Sequence, residues 1–503
     1  MGDSSGLHLF TKVSRRAAIG IDGGYIPKLY KIIDRLAVPR DFYRCLAVWP
    51  GRDHQDVLDM LVDFYYDQLH RWFPILPRSQ LQEQLDGLAV YLANTPGAPR
   101  PTNDKGKPYP YPNMLLIYAF FFYTSAVFES TYKLTHRLAG GSCALPGQPK
   151  FPLSRVFSYH AKQQFSCLGE NALSSIEAVQ ACLFLAIGDV PNVSGNPWLM
   201  CGTAVRISVE LGIHHVAQLQ HSYGKCSFYM PIPEQLTVYA RVWCAVYAVE
   251  QMCAMALGRP SILSSEDSVL DFDLFLDTPT NRERFPGQDL LPEDSPFVWM
   301  VKLMDIGGKI TRGINNIHLR KNLQHTLPEL HGMLQQFQTS LPQSLQYDFS
   351  PEAPTPNIQV AFLHIMYFSC VLALYRPFLS SRRLRNDGPL QEQYLSIVET
   401  CILAIPTIYL RHREEAALFP MDASQFVVYC LAGAWPCSKS RGHRTAGARF
   451  SGCCTCARGS WSRFTIISQN SPWSCARFAT NSFAWSRATR TCKWTTWSAK
   501  CLH

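Results

Sequence analysis

An all-α fold is predicted by three observations. Apolar residues recur at steps of three and four through most of residues 1–435, period-two strand patterns are rare, and glycine or proline punctuates the apolar runs. No repeat of fixed length is present.

The elements follow in order. Val57 to Leu69 sets Leu58, Leu61, Val62, Phe64, Tyr65 and Leu69 at helical spacing, so this segment is a helix with one buried stripe. Six prolines between Thr95 and Pro112 make that stretch a loop. Met114 to Phe128, centred on Phe120-Phe121-Phe122, is apolar on all sides. Its fifteen residues fall short of a bilayer and Tyr118, Tyr123, Thr124 and Ser125 interrupt it, so it is expected in a helical core and not in a membrane. After a loop at Gly140–Pro152, a helix is predicted over Leu153–Leu168. Ser174-Ser175-Ile176-Glu177 is a capping-box pattern in which Ser174 and Glu177 cap each other, and Ala178–Ala186 continues as a buried helix.

A turn at Pro191–Pro197 precedes a helix that starts at Trp198 and stops at Gly212. Its small residues Gly202, Ala204 and Ser208 would admit a close neighbour. From Val238 to Met255, Val238, Tyr239, Val242, Trp243, Val246, Tyr247, Val249, Met252 and Cys253 form a wide apolar face, with Arg241, Glu250 and Gln251 as polar interruptions. Glu250 is expected to reach the surface or to pair with Arg259 or Arg206. In Leu257-Gly258-Arg259-Pro260, Gly258 suits a left-handed helix end and Pro260 blocks continuation. Ile262–Asp277 reads as an acidic, irregular segment, and helices resume over Phe297–His318, Leu330–Leu341, Val360–Leu374 and Gln391–Tyr409. Phe426–Gly433 begins one more.

Charge and cysteine divide the chain near Trp435. The formal net charge is +9, yet residues 436–503 hold 11 Lys+Arg and no acid, leaving 36 basic against 38 acidic side chains in 1–435. A near-neutral body gives little electrostatic support for direct DNA binding. Eleven cysteines, such as Cys182, Cys201, Cys253 and Cys370, lie in 1–435, many in apolar helical runs, and read as reduced core residues. The expected organisation is a lead-in segment over 1–50, a helical domain over 51–435, and a basic tail over 436–503. The tail holds 11 serines, seven cysteines and five tryptophans without a helical period. It reads first as aberrant, disordered translation. The second reading is a nucleic-acid-contacting tail that stacks tryptophans on bases. Cys453-Cys454-Thr455-Cys456 lacks the paired spacing of a zinc site. The N-terminus has no hydrophobic signal core, and Gly6 stands where a myristoylation motif wants serine or threonine.

Catalytic patterns are absent from the sequence: no Walker loop, GxGxxG, GxSxG or HExxH occurs. Asp271, Asp273 and Asp277 lack the paired helix faces of a magnesium-dependent lyase and read as solvated loop acids. His214-His215 reads as a helix-end pair favoured by the helix dipole, not as a metal site. No catalytic or metal-ligating residue is assigned, and no cofactor-binding residue can be named.

A set of motifs in fixed order points to one family. Ser175-Ile176-Glu177-Ala178-Val179-Gln180-Ala181 is followed by Trp198, Gly202, Ala204, Arg206 and Leu211-Gly212-Ile213-His214. Then come Arg241, Val242-Trp243, Tyr247 and Leu257-Gly258-Arg259-Pro260. Phe64-Tyr65 with Phe73-Pro74-Ile75-Leu76 precedes them, as does the Gly2–Leu9 segment, and His364, Tyr367 and Tyr375-Arg376-Pro377-Phe378 follow. Together they resemble the regulatory middle-homology domain of fungal-specific transcription factors, with Cys244 and Glu250 as departures. The resemblance implies a nuclear transcription regulator that is not an enzyme. Such a domain would act through a small-molecule inducer, a homodimer or a co-regulator protein, without a membrane. In that family DNA is read by a zinc cluster of six closely spaced cysteines. Cys45 alone lies between Met1 and Lys133, so no zinc is expected in this chain, and DNA contact would need an upstream module or a partner protein.

Overall fold

The computed structural model describes residues 54–93, 102, 109, 111–138, 153–167, 175–189, 197–216, 233–264, 270–315, 323–350, 352–379 and 388–420. The 1–50 lead-in, the Phe426–Gly433 helix and the 436–503 tail lie outside these residues. The described residues form an all-α structure, as the apolar periodicity requires. They contain no extended strand; one isolated parallel bridge joins Leu276 to Leu291. They fall into two compact units that divide after Asn315.

In the first unit, α1 (His54–Phe64) runs into a π-helical turn at Tyr65–Leu69. Here the Tyr65 carbonyl accepts from the His70 N–H at 2.7 Å, one residue further along than in an α-helix. The predicted single helix over 57–69 therefore holds two geometries, which a stripe of apolar residues does not distinguish. Helix α2 (Arg78–Ala93) was not predicted, because Gly87 and polar Gln80, Gln82 and Gln84 weaken its stripe. Helices α3 (Met114–Leu138) and α4 (Leu153–Cys167) pack together, and α3 also packs on α5 (Ile176–Asp189).

α5 is the centre of this unit. Every residue from Ala178 to Asp189 is buried, as expected for a helix apolar on all sides. Its start is capped one residue later than predicted. The Ser175 hydroxyl accepts from the Ala178 N–H at 3.2 Å, while Ser174 lies outside the described residues. Tyr65, Phe120 and Phe184 meet edge to face at 4.8–5.9 Å, tying the π-turn, α3 and α5 together. The amides of Gln180 and Gln80 exchange hydrogen bonds at 3.0 Å, and Gln180 Nε2 also donates to the Ile75 carbonyl at 2.6 Å. At the other end of α5, buried Asp189 meets Lys162 of α4 at 2.9 Å.

α6 (Pro197–Leu211) packs on α5 and on α7 (Pro233–Leu257), and α7 packs on α9 (Pro296–Asn315). Pro197 opens α6 at a position where its missing N–H costs nothing. Gly212 and Gly258 close α6 and α7 with φ of 75° and 62°; the helix stop expected at Gly212 and the left-handed end expected at Gly258 are both present. Of the small residues in α6, Gly202 faces not a helix but the Ile262 side chain, which would meet an added Cβ at 3.4 Å. The acidic segment is more ordered than expected. A 3₁₀ turn at Phe272–Leu274 leads to α8 (Pro279–Arg284), where Thr278 caps the Asn281 N–H and Asn281 Nδ2 holds the Asp273 and Leu276 carbonyls.

The second unit contains α10 (Leu323–Ser340), α11 (Ile358–Leu379) and α12 (Gly388–Arg411), with α11 packed on both others. His364 Nε2 lies 2.9 Å from the Leu345 carbonyl and donates to it. Tyr367 stacks on Phe337, and the Tyr375 hydroxyl lies 3.0 Å from His331 Nδ1. These three family-motif residues thus fasten α11 to α10 and to the segment after it. α11 continues past Pro377 to Leu379. Met114–Tyr132 and Ile358–Tyr375 are long and apolar enough to cross a bilayer, but 67% and 89% of these windows are buried against other helices. Core packing accounts for their composition.

Candidate functional site

The polar residues of α7 define the candidate site. Arg241, Glu250 and Gln251 are each 1% exposed. A charged group at that depth is retained only with compensating partners, so each one marks a specific arrangement.

Glu250 clamps the segment that leaves α7. Its Oε1 accepts from the Ile262 N–H at 2.8 Å, and its Oε2 lies 2.9 Å from the Ser261 hydroxyl. The Leu263 carbonyl accepts from Gln251 Nε2 at 3.0 Å and from Arg312 Nη1 of α9 at 2.7 Å. Burial raises the Glu250 pKa above its ordinary value, opposed by the Ile262, Ser261 and Leu263 hydrogen bonds and by the Arg312 charge. The cation facing Glu250 is therefore Arg312, and neither of the expected partners fills that role. Arg259 lies over the Trp198 ring at 5.0 Å, and Arg206 reaches the Gly202 carbonyl at 3.4 Å. Arg312 lies on α9, 62 residues after Glu250, and packing of α9 on α7 brings it there.

Arg241 anchors a second cluster. Its Nε donates to the Thr237 carbonyl at 3.3 Å, and its Nη1 makes no hydrogen bond. Asp289 Oδ2 stands 3.7 Å from that Nη1 and 3.8 Å from His70 Nε2. The His70 contact, ahead of the Arg241 charge, holds the Asp289 carboxyl below its ordinary pKa despite partial burial. Behind them, His70 Nδ1 is 3.5 Å from the Tyr65 hydroxyl. The π-turn brings Tyr65 and His70 together. Asp289 belongs to the stretch after α8, where Gly287 adopts φ 78° and the Leu276–Leu291 bridge closes the loop. This loop lines a cleft of 290 Å³ with Asp277, Arg282, Phe285, Gln288 and Asp289 on its walls.

The sequence marked Arg241 as a polar interruption but gave no signal for its partners. Of the loop acids, Asp277 forms a two-point pair with Arg282, at 2.6 and 2.8 Å. Asp271 precedes the 3₁₀ turn and Asp273 lies within it, and among the described residues neither joins a metal-holding cluster. Among the described residues, no group of three or more His, Cys, Asp or Glu side chains could hold a metal.

His214 and His215 lie in a 3₁₀ turn after Gly212, with ring centroids 4.3 Å apart. His214 is buried with its ring 6.0 Å from Trp243, and its Nδ1 has no hydrogen-bond partner. Burial, then the neighbouring His215, lowers its pKa to about 4. This is opposite to the dipole-favoured, charged histidine expected from sequence. The unfolded chain protonates near 6.5, so stability should fall as pH drops from 6.5 towards 4. Urea unfolding at pH 7.0, 5.5 and 4.5 should show the wild type losing roughly 1–2 kcal/mol more than His214→Leu over that range. Parallel losses in both proteins would mean that His214 remains accessible to protons.

α6 and α7 also bring Cys201 and Cys253 together, with their sulfurs 3.5 Å apart. The Cys253 contact, then burial, raises the Cys201 pKa well above its ordinary value, so Cys201 stays a protonated core thiol.

Comparison with known proteins agrees with the motif order. The family described as "Fungal specific transcription factor domain" matches residues 62–347, more than half of the chain. An acetamidase regulatory protein of Aspergillus fumigatus is 22% identical over 354 residues, covering 69% of this chain and 39% of that protein. The chain thus spans about two fifths of that relative's length. No solved structure matches.

Proposed function

The chain belongs to the fungal specific transcription factor family, and from that premise we propose that it is a nuclear regulator of transcription whose helical body is a ligand- or partner-responsive regulatory domain. The observation that carries the reading is the family match, which runs from α1 to the segment after α10. The family and the relative are those of a regulator, not of an enzyme. The buried polar clusters of α7 fit such a role: they join helices to the segments that follow them. The relative's name speaks of acetamidase, and at 22% identity this target is not carried over.

Charge supports indirect DNA contact. Residues 1–435 carry 36 basic and 38 acidic side chains, which favours reaching DNA through another module or a partner protein, with zinc bound there and not by the helices.

Two measurements on the full chain test this reading. A fluorescently tagged chain should accumulate in the nucleus of a fungal host. Its deletion should change a defined set of transcripts several-fold, with the tagged chain found at their promoters by crosslinking. Cytosolic retention together with an unchanged transcript profile would sink the proposal.

A further inference from the structure

Six serines or threonines precede a proline in the chain, and four of them, Thr278, Ser295, Ser350 and Thr355, lie among the described residues. A hydroxyl followed by proline is the pattern that proline-directed protein kinases modify, so the surroundings of each hydroxyl decide which can serve. Ser295 is 6% exposed, and the Thr278 hydroxyl caps α8 by accepting from the Asn281 N–H at 3.2 Å. The Ser350 N–H donates to Asp348 Oδ1 at 2.8 Å, so a phosphate on that serine would be pressed against a carboxylate. Thr355 differs from all three. It is exposed in the irregular stretch ahead of α11, and Pro356 biases its backbone towards the extended form that a kinase cleft accepts.

Two features of the second unit stand ready for a phosphate there. Asn357, two residues on, caps α11: its Oδ1 accepts from the Gln359 N–H at 3.0 Å and its carbonyl from the Ala361 N–H at 3.1 Å. The N-terminus of this 22-residue helix carries partial positive charge. On the other side, Arg411 at the end of α12 donates to the Ala353 carbonyl, two residues before Thr355, and to the Asp348 carbonyl at 2.9 Å. The opposing acids, Asp348 and Glu352, are both exposed and therefore screened by salt.

We propose that Thr355 is a phosphorylation site for a proline-directed protein kinase, and that its phosphate binds Arg411 and fastens the loop more tightly between α11 and α12. In the transfer, Thr355 Oγ1 bonds to the γ-phosphorus of ATP and the bond from that phosphorus to the β-phosphate oxygen breaks. ADP leaves, and the hydroxyl proton passes to the kinase. A guanidinium and a phosphate dianion make the strong, two-point kind of hydrogen bond, which neither backbone carbonyl offers Arg411 now. The modification adds to the regulatory reading above and does not depend on it.

The test incubates the purified full chain with a recombinant proline-directed kinase and ATP, beside a synthetic peptide of residues 348–360, and maps phosphate by mass spectrometry. Peptide and protein should both carry phosphate at Thr355, and in the protein its occupancy should exceed that of Thr278 and Ser295 several-fold. Thr355→Ser should keep the phosphate and Thr355→Val should lose it. Phosphorylation should raise the melting temperature of the wild type by about 2–4 °C, and Arg411→Gln should lose most of that rise. Modification of the peptide but not of the protein would overturn the proposal, as would modification of neither or equal occupancy at Ser295. An unchanged melting temperature, or an equal rise in Arg411→Gln, would overturn the part given to Arg411; the wild-type measurement decides this even if the variant fails to fold. Because the readout is the phosphate itself, failure here leaves the regulator assignment intact, and an unchanged transcript profile leaves a mapped phosphate standing.

Discussion

Glu250→Ala should lower the stability of the protein by about 3 kcal/mol, measured by urea unfolding at pH 7. Removing the carboxylate leaves the Ile262 N–H without its acceptor and the Ser261 hydroxyl with the Leu263 carbonyl alone, at 2.9 Å. It also leaves Arg312 facing no anion. Glu250→Gln keeps an acceptor for Ile262 and should cost far less. The pair also differ in pH response. The folded-state pKa of Glu250 is raised, so the folded protein holds a proton that the unfolded chain has released. Its contribution is fully present below the unfolded value, roughly 4.3, and is lost as pH rises through the folded value. Wild type should show that loss and Glu250→Gln should not. A small effect of Glu250→Ala, below about 1 kcal/mol, would mean that water reaches the clamp.

Gly188→Val should cost about 3 kcal/mol, because α5 passes α3 too closely for a side chain there. An added Cβ would lie 2.6 Å from Phe122 Cε1 and 3.0 Å from its Cζ, and that ring is buried. Gly188→Ala should cost less, since the helix preference for alanine, about 1 kcal/mol, offsets part of the clash. Pairing either change with Phe122→Leu should recover stability in a double-mutant cycle. Additive losses would place the clash elsewhere.

The helices were legible where an apolar period was strong and a punctuating residue was present. Gly212 and Gly258 show this best, because a left-handed backbone has a residue-level signature. α7 was predicted over Val238–Met255 and spans Pro233–Leu257, since polar first-turn residues carry no stripe. The predicted helices at Val360–Leu374 and Gln391–Tyr409 likewise extend, to Ile358–Leu379 and Gly388–Arg411. α2 was missed because its buried face includes Gln84 and Gly87, which no hydrophobic count registers. The candidate site was legible in only one half. Burial of Arg241 and Glu250 follows from their apolar neighbours in sequence, but their partners do not. Arg312, Asp289 and His70 lie on three other segments, brought together by packing. For His214 the competition between helix dipole and desolvation depends on depth, and depth comes from Trp243 on another helix.

The amide of Gln180 carries a consequence for synthesis. Its bonds to Ile75 and Gln80 span 105 and 100 residues of chain. At translation rates of about 5–20 residues per second, α5 leaves the ribosome roughly 5–20 s after the turn it must grip. In the later part of that interval Phe120, Phe121 and Phe122 of α3 have been made, while their cover on α5 has not. The nascent chain should therefore depend on chaperone holding between the emergence of residues 122 and 189. A slower-translated stretch within 140–175 would lengthen its exposure and lower yield, without changing any contact in the finished protein.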